Sequence, residues 1–173
     1  MDELKEGLEI SLRGAAARRA LTAFRKQAKA WGVALPPAEP LVLDFGLGDF
    51  GRTGLIEYWL ANEARAGYCG KYLFVFDGQT CPEHRHRTKH ETFFVVKGRV
   101  RMCCAGKILV MKEGDVLPVP PGRKHSFAGI GPALLLELSM PCKVTDNYFS
   151  NRQIPIGGNA APCSCPRAEE VRR

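Results

Sequence analysis

The chain has 173 residues, 45% hydrophobic, 25% charged and 9% aromatic, with a formal charge of +7 and seven cysteines. That describes one ordinary globular domain able to bury roughly 70% of its unfolded surface, and excludes a disulfide-held miniprotein, a disordered chain or a fibrous repeat. No apolar run approaches the roughly 20 residues of a membrane span, and the acidic start Met1-Asp2-Glu3 is unlike a basic-then-apolar leader, so a cytoplasmic, unprocessed protein is expected.

In chain order, Glu3 to Leu8 reads as a short amphipathic turn or helix. Leu12 to Trp31 is rich in Ala, Leu, Arg and Lys and places Leu21, Phe24, Ala28 and Trp31 on one helical face; Gly32 supplies its stop and Pro36-Pro37 the break. After Pro40 the character changes to short runs rich in β-branched and aromatic residues, separated by Gly and Pro. Strands are expected over Gly54 to Leu60, Tyr72 to Asp77, Thr92 to Val96, Val100 to Cys104, Lys107 to Met111, Val116 to Val119, His125 to Ala128 and Leu134 to Met140. Such spacing indicates an all-β sandwich or barrel. The expected organisation is a helical arm over 1–38, a barrel over 39–150 and an irregular tail over 151–173.

The positive charge sits mainly on the arm, at Arg13, Arg18, Arg19, Arg25, Lys26 and Lys29, and on the tail. No aromatics alternate with it as a base-stacking platform needs, and no helix-turn-helix pair is present, so it reads as a solvated helix face with no nucleic-acid partner. The cysteines are odd in number and lack CxxC pairs, which favours buried thiols, and metal or redox work by Cys163 and Cys165 is a minor expectation.

The chemistry gathers around the histidines. In CPEHRHRTKHETFF, His84 and His86 share one face of a strand, and the short turn after them returns Glu91 beside them on the face of Phe93 and Val95. His125 follows the turn VPVPPGRKHSF and completes a set of three imidazoles and one carboxylate, suited to a divalent first-row metal with open positions for water or a sugar oxygen. Manganese is the first choice; iron, cobalt, nickel and zinc are alternatives. Lys89 has the parity of Glu91 and so faces the barrel, unless it is a solvent-facing loop lysine. Glu137 interrupts the apolar strand LLLELSM, where an ionised carboxylate requires a polar cavity or a structural ion pair. His90 alternates outward. Asp146 and Tyr148 are placed at the barrel mouth, as sugar-hydroxyl ligands or as edge-strand packing. Arg123 and Lys124 precede His125 and would matter for an anionic substrate.

These residues resemble the cupin superfamily. Its first motif, G(X)5HXH(X)3-4E(X)6G, is met by Gly78, His84, His86, Glu91 and Gly98; its second, G(X)5PXG(X)2H(X)3N, by Gly114, Pro120, Gly122 and His125, with Gly129 in place of the final asparagine. Within the cupins the chain resembles the D-lyxose isomerases, through Trp31-Gly32 and Leu35-Pro36-Pro37, Asp44 to Phe50 with Gly54-Leu55, the HxHxxKxE run ending at Glu91, Glu137-Leu-Ser139, and Asp146 to Phe149. The resemblance implies a double-sheet jelly-roll barrel with the metal inside and a small-molecule sugar as substrate. It also implies isomerisation of D-lyxose with D-xylulose, and often of D-mannose with D-fructose, through an enediol. Lys89 and Glu137 would then handle protons, Lys89 with a pKa lowered by desolvation and the nearby cation. The alternatives are a sugar-phosphate isomerase, an iron dioxygenase or a non-catalytic sugar-binding cupin. A two-fold homodimer is the default assembly for a short barrel with open strand edges.

Overall fold

The computed structural model describes residues 2–158. Helices α1 (Asp2–Glu9) and α2 (Gly14–Ala30) lead into strands β1 (Leu41–Leu43), β2 (Leu55–Glu63), β3 (Tyr68–Val75), β4 (Thr80–Arg85), β5 (Glu91–Lys97), β6 (Arg99–Cys104), β7 (Lys107–Lys112), β8 (Val116–Val119), β9 (His125–Gly129) and β10 (Ala133–Ser139). A 3-10 turn (Val144–Asp146) and β11 (Tyr148–Phe149) follow. The strands form two antiparallel sheets, one ordered β1-β2-β3-β10-β5-β8 and the other β11-β4-β9-β6-β7. Alternation fills the space between them: Leu55, Leu73, Val75, Phe93, Val95 and Leu135 from the first sheet meet Cys81, Val100, Met102 and Phe127 from the second. All eight expected strands are present, with ends shifted by a few residues. Strand β4 carries His84 and ends at Arg85, one residue before His86; the short β1 and β11 lie outside the expected set.

Helix α2 forms because its alanine-rich sequence leaves one stripe, Ala20, Phe24 and Ala28, to bury four residues apart. That stripe covers the outer face of the six-stranded sheet, where Phe24 stacks against Tyr58 and Phe74 with ring centroids 5.6 and 4.7 Å away. It ends in a Schellman motif: Gly32, in the left-handed region at φ 67°, donates to the Lys29 carbonyl and Val33 to that of Ala28. The six basic residues of the arm are all solvent-facing, as expected. Phe24→Ala removes a fully buried ring and should cost about 3–5 kcal/mol of stability, read from urea unfolding midpoints.

The arm is also docked at the barrel edge. Ile10 joins the core, the Leu12 amide donates to the Val42 carbonyl and the Asp44 amide to that of Ile10, so residues 10–12 run along β1. At the other end, residues 151–158 contain neither helix nor strand, yet Ile154 is buried in the core and Ile156 packs on it. Cys163 and Cys165 lie outside the described residues.

Candidate metal centre and its cavity

Strand register brings the expected ligands together. His84 pairs with His125 across β4 and β9, and the shift in that pairing between Cys81 and His84 accommodates Pro82, which has no amide to give to a ladder. His86 follows β4 in the return loop, and Glu91 opens β5 in the opposite sheet. One ligand atom from each of His84, His86, Glu91 and His125 lies within 4.8 Å of all the others.

The imidazoles are oriented from behind. Each Nδ1 meets a backbone carbonyl: His84 that of Pro82 at 2.8 Å, His86 that of Asp146 at 3.0 Å and His125 that of Arg123 at 3.0 Å. A carbonyl only accepts, so Nδ1 carries the proton and Nε2 presents a lone pair to the centre. His125 Nε2 lies 2.7 Å from Glu91 Oε1, and His86 Nε2 lies 3.4 Å from Glu91 Oε2. These four atoms are buried and make no well-aligned hydrogen bond among the described residues. Acceptors facing acceptors at such distances require a cation between them. Burial lowers the His125 pKa, but Glu91 raises it further, to above its ordinary value, so without a metal a proton fills this need. His84 moves the other way, pushed well down by burial and by the fields of His125 and His86. The donor set therefore fits a divalent metal held by three neutral nitrogens and one carboxylate.

Beside the cluster runs a row of buried charges along the inner face of the six-stranded sheet. Lys89 Nζ lies 2.8 Å from both Glu91 Oε2 and Glu137 Oε1. Ser139 Oγ donates to Glu137 Oε1 at 3.0 Å, and Lys71 Nζ lies 3.5 Å from Glu137 Oε2 and 3.2 Å from Glu57 Oε2. The Trp59 indole N–H donates to Glu57 Oε1. Three carboxylates against two ammoniums leave one negative charge over, a second reason for a cation at Glu91. Burial works to lower the Lys89 pKa, but Glu137 and Glu91 outweigh it and hold the pKa above the usual lysine range. This corrects the expectation of a lowered value, which reckoned with the cation but not with two carboxylates in contact. Burial likewise works to raise the Glu137 pKa, and Lys71 and Lys89 hold it below the ordinary carboxylate value. The unfolded chain thus takes up Glu137's proton first as pH falls. Between about pH 8 and 5 the urea midpoint of metal-free protein should follow the two opposed histidines, the raised His125 stabilising and the lowered His84 destabilising as pH falls. From about pH 4.5 downward the row adds a progressive loss, and a midpoint that rises below pH 4 contradicts an ionised row.

A cavity of about 60 Å³ opens against His84, Lys89 and Glu137, walled by Leu55, Leu73, Phe93 and Phe127. Glu57 and Lys71 also line it. The sequence reading did not single them out, although each breaks an apolar strand as Glu137 does. Lys89 is therefore inward-facing and His90 outward.

Of the two alternatives for Asp146 and Tyr148, the contacts made in the structure are those of packing at the edge. The Asp146 carboxylate accepts from the amides of Arg87, Thr88 and Lys89 and from Thr88 Oγ1, at 2.7 to 3.1 Å, so its oxygens are engaged in holding the return loop. Tyr148 pairs with the outward Arg85 while its neighbour Phe149 pairs with His84, which turns the Tyr148 ring outward under the Arg87 guanidinium, 4.3 Å away. Asn147, between them, lines the cavity instead. Asp146→Ala should free the loop that carries His86 and Lys89 and weaken metal affinity about 10–100-fold, measured by titration with Mn2+.

Residues 74–139 match the cupin domain model. The chain is 30% identical to the D-lyxose ketol-isomerase of Cohnella laeviribosi over 83% of its own length and 94% of that protein's. The chain belongs to the D-lyxose ketol-isomerase family. Another relative, the D-lyxose/D-mannose isomerase of Thermosediminibacter oceani, is 44% identical over 43% of the chain and 39% of its own length. Among solved structures, L-ribose isomerase of Cellulomonas parahominis superposes with a TM-score of 0.68 at 15% identity, covering 84% of this chain and 95% of that one, a likeness of fold. As a member of the D-lyxose ketol-isomerase family the protein is a sugar isomerase on a cupin barrel. Among the described residues no helix is long and apolar enough to cross a membrane.

Proposed function

We propose that this protein interconverts free aldoses and ketoses, D-lyxose with D-xylulose first and D-mannose with D-fructose second, with a divalent metal at His84, His86, Glu91 and His125. The observation that carries this is the placement of the Lys89–Glu137 pair and the histidine–glutamate cluster against one small cavity. The names of the two curated relatives support the substrates. When bound, the metal supplies Lewis-acid polarisation of the sugar carbonyl and its neighbouring hydroxyl.

The residues divide the remaining work. Glu137 is ionised and acts as the base: Oε1 is held by Lys89 and Ser139, and Oε2, with only Lys71 at 3.5 Å, takes a proton from C2 of the aldose and returns it to C1 while the O2 hydroxyl proton passes to O1. Lys89 stays an ammonium. It fixes Glu137 against Glu91 and donates to the sugar oxygen on which negative charge builds. Asp146 acts as a positioning residue through the loop. Phe93, Phe127 and Phe149 keep bulk water from the reacting carbons.

A free sugar is favoured over a sugar phosphate because both cavity lysines already face carboxylates. On the turn, Lys124 is drawn to Glu83 and Ser150 at 3.2 and 3.1 Å. Manganese is the first metal to test, and a cytoplasmic homodimer is the default state of the enzyme. The deciding experiment incubates protein reconstituted with manganese, cobalt or iron with a panel of free aldoses and follows ketose formation. Deuterium uptake at C2 distinguishes turnover from binding, and oxygen consumption exposes a dioxygenase. No ketose from any free sugar overturns the reading.

A further inference from the structure

A second cavity, of about 70 Å³, adjoins the first and reaches Gly7, Ile10, Val144 and Ile156. The two are lined in common by the polar Glu57, Lys71 and Asn147 and by the aromatic rings of Phe45 and Phe149. Glu57 and Lys71 are 7% and 6% exposed in a wall otherwise built of Leu43, Leu55 and Leu73. A buried ion pair is no better for stability than well-packed apolar residues, so stability alone does not account for a pair here.

The pair differs from Lys89 and its partners. Lys89 is gripped at 2.8 Å on both sides, whereas Lys71 Nζ has Glu57 at 3.2 Å, Glu137 at 3.5 Å and Cys142 Sγ at 3.9 Å, all beyond the roughly 2.7–2.9 Å of a tight charge-assisted bond. Its N–H groups reach Glu57 and Cys142 Sγ in long hydrogen bonds, and the ammonium also lies over the Trp59 ring, 5.4 Å from its centroid, so it has several contacts and none of them is tight. Glu57 is steadied by the Trp59 indole, which leaves Oε2 toward Lys71. A charged donor and a charged acceptor side by side suit a hydroxyl, which accepts from one and donates to the other; Asn147 adds an amide, and the Phe45 and Phe149 rings offer a face for C–H groups.

We infer that Glu57 and Lys71 form a subsite for the hydroxyls at the end of an open-chain polyol farthest from the metal cluster, and that this subsite selects among five- and six-carbon sugars by configuration and length. The assignment of the two ends rests on the isomerase reading; the hydroxyl chemistry of the subsite does not.

The test uses manganese-loaded protein, wild type and the variants Lys71→Met, Glu57→Gln and the double variant. The double variant replaces the pair by neutral side chains of similar length, so it leaves no buried charge orphaned should a single variant fold poorly. Ribitol, xylitol and mannitol are titrated calorimetrically, and kcat and KM are measured for aldoses epimeric at C3 and C4. The wild type should bind at least one of the three polyols. The variants should weaken that binding about 10–100-fold and change the ranking of the epimers, and for Glu57→Gln, which leaves the Lys71–Glu137 pair in place, the kinetic loss should fall on KM more than on kcat. A merely structural pair would lower the melting temperature and leave the ranking intact. A folded double variant with wild-type polyol affinity and epimer ranking overturns the inference. Should no aldose be isomerised, the titrations still decide: polyol binding lost in the variants keeps the subsite while the isomerase reading falls, and polyols that bind nowhere, or equally to all forms, overturn the subsite.

Discussion

Glu137→Gln should lower kcat for aldose isomerisation by about 10²–10⁴-fold while leaving metal uptake intact, the range expected for loss of a positioned general base. The substitution preserves shape and retains hydrogen-bonding capacity toward Lys89 and Ser139. It removes the charge that keeps Lys89 protonated and the lone pair that takes the sugar proton. Deuterium exchange at C2 should fall in step with kcat, because both report the same transfer. If exchange persists at the wild-type rate while ketose formation drops, Glu137 acts after C–H cleavage and another group is the base. Ser139→Ala gives a useful contrast: it deletes one hydrogen bond to Oε1 and should cost no more than about tenfold.

Glu91→Ala should abolish stoichiometric manganese binding and, with it, turnover. Glu91 is 1% exposed and faces His86, His125 and Lys89 at once. Without it, three neutral nitrogens remain to hold a dication in a pocket that has lost its balancing carboxylate. Wild-type protein stripped by a chelator should regain about 4 kcal/mol of stability when manganese reaches a thousand times its Kd. At roughly 2–4 °C per kcal/mol for a domain of this size, that is a shift of about 8–16 °C in Tm. Glu91→Ala should show no such shift, and a manganese-dependent shift of full size in this variant would remove Glu91 from the ligand set. Loss of the Lys89 counter-charge adds its own destabilisation, so the comparison is made between each protein with and without metal.

Much of the centre was legible because its logic is local. One residue separates His84 from His86, so strand parity puts both on one face. Glu91 follows after a short turn and Lys89 shares its parity, although parity across a turn left the facing of Lys89 open, and Gly78, Gly98, Pro120 and Gly122 mark the turns that return the chain. Glu137 was legible as a charge in an apolar strand. Its partner Lys71 was not, because the two meet only through the pairing of β3 with β10, far apart in sequence. Glu57 was hidden for the same reason, and so was the direction of the Lys89 pKa, which depends on a second carboxylate from β10. Sequence left Asp146 and Tyr148 open between sugar contact and edge packing, because their facing is set by the 3-10 turn and by the register of β11 on β4, neither of which leaves a periodic signal.

The ligands come from both halves of the sandwich: His84 and His125 project from the five-stranded sheet, and Glu91 from the six-stranded one. Neither sheet alone can offer the full set, so an ion bound here is a clasp fastened only when the barrel has closed. Metal capture would then report completed folding, and its binding free energy would go into keeping the two halves together. An ion held there would also fasten the seam beside the cavity, and chelation should open that seam first, with amide protons of β4, β9 and the start of β5 exchanging before those beneath helix α2.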